Sequence, residues 1–144
     1  MPETSDVLVS AADLRALAEA LFSAAGSPAA EAALVARLLV TANLAGHDSH
    51  GVARIPAYLG GVRGGTIQPG AQPQVVRDGG ATALLDGGYG FGQTVAMAGV
   101  EEALRRARRH CIGLVGVRAG NHMGRLADYA RHGAETGLLT LVFA

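Results

Sequence analysis

Residue types that can bind and protonate a carboxylic acid crowd into one short stretch, Gly46-His47-Asp48-Ser49-His50-Gly51-Val52-Ala53-Arg54, which holds two of the five histidines. Arginine offers a planar fork that matches a carboxylate and fixes its orientation. Histidine titrates near neutral pH and can give or take the proton of a carbonyl or hydroxyl. A third histidine, His122, stands in Ala119-Gly120-Asn121-His122-Met123-Gly124. Together Arg54, His50 and His122 describe a site for a 2-oxo or 2-hydroxy acid, with Arg54 on the carboxylate and a histidine protonating the adjacent oxygen during reduction. The residues alone weigh this evenly against a plainer reading, in which His50 and Arg54 are junction residues tied to helix ends.

Three further constellations invite other chemistry. His47, His50 and His122 could supply three imidazoles to a catalytic zinc, which makes a metal-dependent hydrolase the weaker alternative. Gly46 works against a continuous helix through His47 and His50, so no metal is expected. The Gly88-x-Gly90-x-Gly92 run lacks the spacing of a dinucleotide fingerprint, since the fifth residue on is Gln93 from Gly88 and Val95 from Gly90. It reads as a strand-to-helix turn where backbones pass closely, with a residual role for the amides of the next helix in meeting a phosphate. The basic run Arg105 to His110 closes a helix, where cations complement the macrodipole, and no aromatic residues interleave with it. Nucleic acid is therefore not an expected partner.

These groups must be positioned by the elements around them. Ser10 and Asp13 mark the N-cap and third position of a helix, with Val9 set to pack on Leu14, and Leu14, Leu17, Ala18, Leu21 and Ala25 recur at helical spacing up to Gly26. Pro28 opens a second helix, apolar on most sides, with Leu34, Val35, Leu38, Leu39 and Ala42 as its densest stripe. Such a helix is buried or covered by a partner chain. If helix resumes at Ser49, His50 and Arg54 project from one face. Pro56 leaves two arrangements open: a helix bent there, or one that begins there with His50 in the preceding loop.

Beyond the Gly60-Gly61 and Gly64-Gly65 pairs, Gln74 to Arg77 and Ala81 to Leu85 read as a β-hairpin around Asp78-Gly79-Gly80. A helix follows from about Gln93 to His110, with Glu101–Arg105 and Glu102–Arg106 as i, i+4 pairs. Ile112 to Val117 and Leu138 to Phe143 are of strand length, separated by a helix over 124–136 with Leu126, Ala127 and Ala130 inward. Strand, helix, strand implies a right-handed βαβ unit with parallel strands, and puts the His122 loop at the carboxyl end of the first. The expected fold class is mixed α/β, with residues 1–65 as a helical segment and 66–144 as the start of a sheet domain, incomplete at its C-terminus.

The 144 residues suit one domain of ordinary size, with 12 basic residues balancing 12 acidic ones. Neutral charge gives no global argument for nucleic acid, membrane surface or polyanion. All the basic residues are arginine, which excludes lysine-based Schiff chemistry and a P-loop. The single Cys111 excludes an internal disulfide and suits a reducing, cytoplasmic compartment. Met1 to Ser10 lacks the features of a secretory signal, and no apolar run is long enough to cross a bilayer.

His47-Asp-Ser-His50-Gly-Val-Ala-Arg54-Ile-Pro56-x-Tyr58, Asp86-Gly-Gly-Tyr-Gly-Phe-Gly-Gln93 and Gly120-Asn-His122-Met-Gly124, in that order, resemble the malate/L-lactate dehydrogenase family that includes sulfolactate, ureidoglycolate and 2,3-diketogulonate enzymes. The resemblance runs from about Leu8 to the end. It implies an NAD- or NADP-dependent oxidoreductase of non-Rossmann fold acting on a small 2-hydroxy or 2-oxo acid, and a homodimer. It makes His50 and His122 the candidates for proton transfer, with His50 placed first, Arg54 the carboxylate ligand, and Ser49 and Asn121 further substrate contacts. Family members are considerably longer, and most of their nicotinamide-binding loops, including a Gly-Thr-Asn-Pro turn, lie in later segments. The cofactor residues are thus expected mostly beyond residue 144, and the chain is expected to be a fragment. A non-catalytic truncated binding module is the alternative.

Overall fold

A computed structural model describes residues 7–144; the reading of the first residues as free of a signal falls largely outside them. The first two helices, α1 (Ala11–Ala24) and α2 (Ala29–Leu44), form the expected pair. Ser10 caps α1 by accepting from the Asp13 amide at 3.1 Å. Each helix ends on a left-handed glycine, Gly26 (φ 96°) and Gly46 (φ 74°). In each, the residue after the glycine donates back to the last turn, Ser27 to Phe22 at 3.0 Å and His47 to Ala42 at 2.8 Å. The inward stripe of α1 is Ala18 and Phe22, whereas Leu17, expected inside, is 56% exposed. The apolar α2 is buried within the chain, along Ala32, Val35, Ala36, Leu38, Leu39, Val40 and Ala42.

Two 3-10 turns, Asp48–His50 and Val52–Arg54, lead into α3 (Ile55–Arg63). Of the two arrangements left open at Pro56, the helix therefore begins beside the proline, whose missing N–H costs nothing in a first turn. His50 sits in the turn before it. One buried cluster joins α1, α2 and α3 to Ile67 and Phe91, so the core crosses residue 65. Glu31 accepts from the Gly70 amide at 2.8 Å and ties the following loop to the start of α2.

The hairpin is present as antiparallel β1 (Gln74–Gly79) and β2 (Thr82–Asp86), with a bulge between Val75 and Arg77. After α4 (Gly92–His110), β3 (Leu114–Arg118) pairs in parallel with β2, giving sheet order β1-β2-β3. The parallel pair is thus built by β2, α4 and β3. The expected second unit is not: Leu138–Phe143 follows α5 (Ala127–Glu135) but joins no ladder. A strand is defined by its partner, and an apolar run of suitable length does not provide one. The inward face of α5 is Asp128, Tyr129 and Gly133 rather than Leu126, Ala127 and Ala130.

The arginine-rich end of α4 does more than solvate a face. Glu102 takes both Arg105 and Arg106, while Glu101 bonds His132 instead of Arg105. The buried Arg106 also donates to Asp78 at 2.7 Å and to the carbonyls of Gly80 and Thr82 at 2.5 and 2.9 Å. It fastens the hairpin turn to the helix.

Candidate active site

The turn carrying His50 is held from α2. Asn43 donates to Asp48 Oδ1 at 2.6 Å and accepts from the Val52 amide at 2.8 Å. Gly51 lies so tightly against Asn43 that a Cβ there would overlap its amide. Within the turn, Ser49 Oγ pairs with His50 Nδ1 at 2.9 Å, and Arg54 Nε donates to the Ser49 carbonyl at 2.6 Å. Bonding at Nδ1 leaves His50 Nε2 as the nitrogen with no partner among the described residues. Arg54 uses Nε for this anchor, so the two terminal nitrogens of its guanidinium keep their donors for another acceptor.

The opposite wall is the loop after β3. Gly92, the last glycine of the glycine-rich turn, has no room for a Cβ because the carbonyls of Asn121 and His122 lie against it. The close backbone passage expected of this turn is therefore present, and its purpose is to seat the His122 loop. Asn121 locks the same loop from the other side: its amide nitrogen lies within hydrogen-bond reach of the carbonyls of Tyr89, Gly90 and Thr66, at 2.8, 3.0 and 3.1 Å. Ala119, at the turn out of β3, carries the left-handed φ of 50°.

His50 and His122 meet, their ring centroids 5.3 Å apart and their planes tilted by 32°. Behind His122 stands a buried polar chain, in which Gln93 Nε2 donates to Tyr58 Oη at 2.8 Å and Tyr58 Oη lies 2.8 Å from His122 Nδ1. Burial pushes the Tyr58 hydroxyl above its ordinary pKa, so it remains a protonated phenol at neutral pH. Desolvation lowers the His122 pKa below 6.5, helped by the charges of Arg54 and His50, so its neutral form is favoured. Sequence reasoning placed His50, Arg54, Ser49 and His122, and the structure brings them together. Tyr58 and Gln93 were visible only as the ends of two motifs, and Asn43 not at all. Their side chains gain meaning only once α2, α3 and α4 converge.

Other candidates fare differently. His47 is exposed and its Nδ1 pairs with the Ala45 carbonyl at 2.9 Å. Among the described residues no group of three or more His, Cys, Asp or Glu side chains is placed to hold a metal ion. No helix among them is long and apolar enough to cross a membrane.

A mixed α/β chain with no dinucleotide fingerprint thus brings His122, in the loop after the parallel strand β3, against His50 and Arg54 of the two 3-10 turns. Comparison with known proteins makes this specific: the family model described as malate/L-lactate dehydrogenase matches residues 9–144, and the chain belongs to that family. It is 36% identical over 130 residues to hydroxycarboxylate dehydrogenase B of Escherichia coli K12, covering 90% of this chain and 36% of the relative. It is 40% identical over 114 residues to malate dehydrogenase of Pyrococcus abyssi, covering 79% of this chain and 32% of the relative. The solved malate dehydrogenase from Pyrococcus horikoshii OT3 superposes with a TM-score of 0.88 at 34% identity, over 91% of this chain and 38% of that one. The chain thus spans about a third of the length of the curated relatives it matches.

The family implies a nicotinamide cofactor, and two glycines of the 87–92 turn are spent on packing rather than left open as a phosphate cradle. A cradle needs glycines that leave backbone amides open to a ligand. Here Gly92 is filled by the 121–122 backbone, and Gly87 by Val95 and the Ala119 carbonyl.

Proposed function

We propose that residues 46–58 and 120–124 form the acid-binding and proton-handling side of an NAD- or NADP-dependent oxidoreductase acting on a small 2-hydroxy or 2-oxo acid. The observation that carries this reading is the meeting of His50 and His122 at 5.3 Å beside Arg54. Arg54 receives the carboxylate through its terminal nitrogens. That places the adjacent hydroxyl or carbonyl oxygen against the two imidazoles, where one histidine accepts its proton on oxidation and returns it on reduction. Ser49 orients His50, and Asn121, its amide taken up by carbonyls, contributes by holding the His122 loop. The dinucleotide would carry the hydride chemistry, while the residues named above bind the acid and handle its proton.

Assaying a protein in which this chain is joined to the remaining segments of a relative, with pyruvate, oxaloacetate or glyoxylate and NADH or NADPH, tests the proposal. Turnover that falls by about a hundredfold or more in His50→Ala fits the loss of an acid/base group. An unchanged rate in that variant would remove His50 from the chemistry. The second reading is a binding module without catalysis. Saturable acid binding with no turnover would select it.

A further inference from the structure

The buried chain behind His122 has a direction. Gln93 is fully buried, and among the described residues its amide nitrogen has one partner, the Tyr58 hydroxyl at 2.8 Å. A phenol donates one hydrogen bond and, in the plane of its ring, accepts one well. With Gln93 filling the accepting direction, the phenol's own hydrogen is left for His122 Nδ1 at 2.8 Å, the His122 carbonyl being distant at 3.4 Å. A nitrogen that accepts this hydrogen cannot carry one in neutral imidazole, so the ring proton resides on Nε2. The reversed amide would turn an NH2 with both hydrogens unpaired towards the spot where Gln93 Oε1 now lies without a partner. An unpaired buried carbonyl is the better tolerated of the two.

We propose that Gln93 is a positioning residue that fixes His122, through Tyr58, as the Nε2–H tautomer, making His122 a hydrogen-bond donor to the substrate oxygen and leaving proton transfer to His50. The assignment of roles rests on the acid site proposed above; the tautomer does not. Among the described residues, those that touch or electrostatically influence His122 are Tyr58 of α3 and Arg54 and His50 of the two 3-10 turns, with Gln93 of α4 behind Tyr58. None of them is a carboxylate that would draw the proton to Nδ1. Desolvation, which disfavours imidazolium here, keeps the neutral ring in this donating form. A neutral imidazole held in this way polarises a carbonyl and steadies a developing alkoxide without itself changing protonation.

Long-range 15N–1H NMR of the histidine side chains in the ligand-free chain reads the tautomer directly. The expected result is Nε2–H for His122 at neutral pH in the wild type. In Gln93→Glu, read at a pH where a carboxyl 13C titration shows the side chain ionised, the carboxylate accepts from Tyr58 and turns the hydroxyl, so His122 should change to Nδ1–H. Gln93→Met, which keeps the length but loses the donor, should give a mixture, and the backbone amide spectrum shows whether each variant keeps the fold. Nδ1–H in the wild type overturns the proposal, and so does an unchanged tautomer in whichever variant folds. Because no substrate is present, this outcome is independent of whether the chain binds or turns over an acid.

Discussion

Arg54 acts on its neighbour His122 through its charge, and that influence can be measured. Its charge helps hold the His122 pKa below 6.5, so Arg54→Gln should raise that pKa towards the ordinary value in an NMR titration of the ring protons. No movement would place the guanidinium too far away to matter. The same shift enters stability. A histidine whose folded pKa is depressed takes up protons more readily when unfolded, so its contribution is complete above 6.5 and declines as the pH falls through the folded value. His50, Ser49, Arg54 and His122 could be picked out from sequence because their chemistry is carried by residue type. Tyr58, Gln93 and Asn43 could not, because a phenol, an amide and an asparagine at a helix end become specific only through their three-dimensional partners.

The glycine-rich turn and the two walls of the site make a test of packing. Gly92→Ala must displace the Asn121 and His122 carbonyls, at a cost of about 1–3 kcal/mol in thermal unfolding. It should also weaken the magnetisation transfer between the His50 and His122 rings. Gly60, inside α3 with nothing within 4 Å of a Cβ, is the control, and Gly60→Ala should stabilise by about 0.5–1 kcal/mol. Equal effects would mean that the turn does not seat the loop. Helix bounds and the hairpin followed from caps, periodicity and turn residues, all local signals. Leu138–Phe143 did not become a strand, and Arg106 looked like one of four solvated arginines, because pairing and burial are settled at a distance.

For the molecule as a whole, the Arg106 clamp couples the sheet to α4. The hydrogen bond from Arg106 lowers the Asp78 pKa from 3.8 to about 2. Stability from this carboxylate is therefore present above about pH 4 and lost as the pH falls towards 2. Arg106→Met should lower the Tm at neutral pH more than Arg108→Met and flatten the response to acid over that window; equal Tm values would contradict the clamp. Ile112, Leu114, Leu139, Leu141 and Phe143 are 65–93% exposed, and a homodimer that covers them is an expectation that solution size can test. Light scattering that finds only monomer would count against it.

The central claim is that Arg54, His50 and His122 together form an acid site. Its most direct test is a titration of the labelled chain with oxamate, an unreactive analogue of a 2-oxo acid, followed at the side chains of all three residues. Saturable shifts at His50, His122 and Arg54 are predicted, with affinity falling about 10- to 100-fold in Arg54→Leu as a charge-assisted pair is lost. Oxamate that leaves the three residues unmoved, or that binds Arg54→Leu as tightly as the wild type, would contradict it.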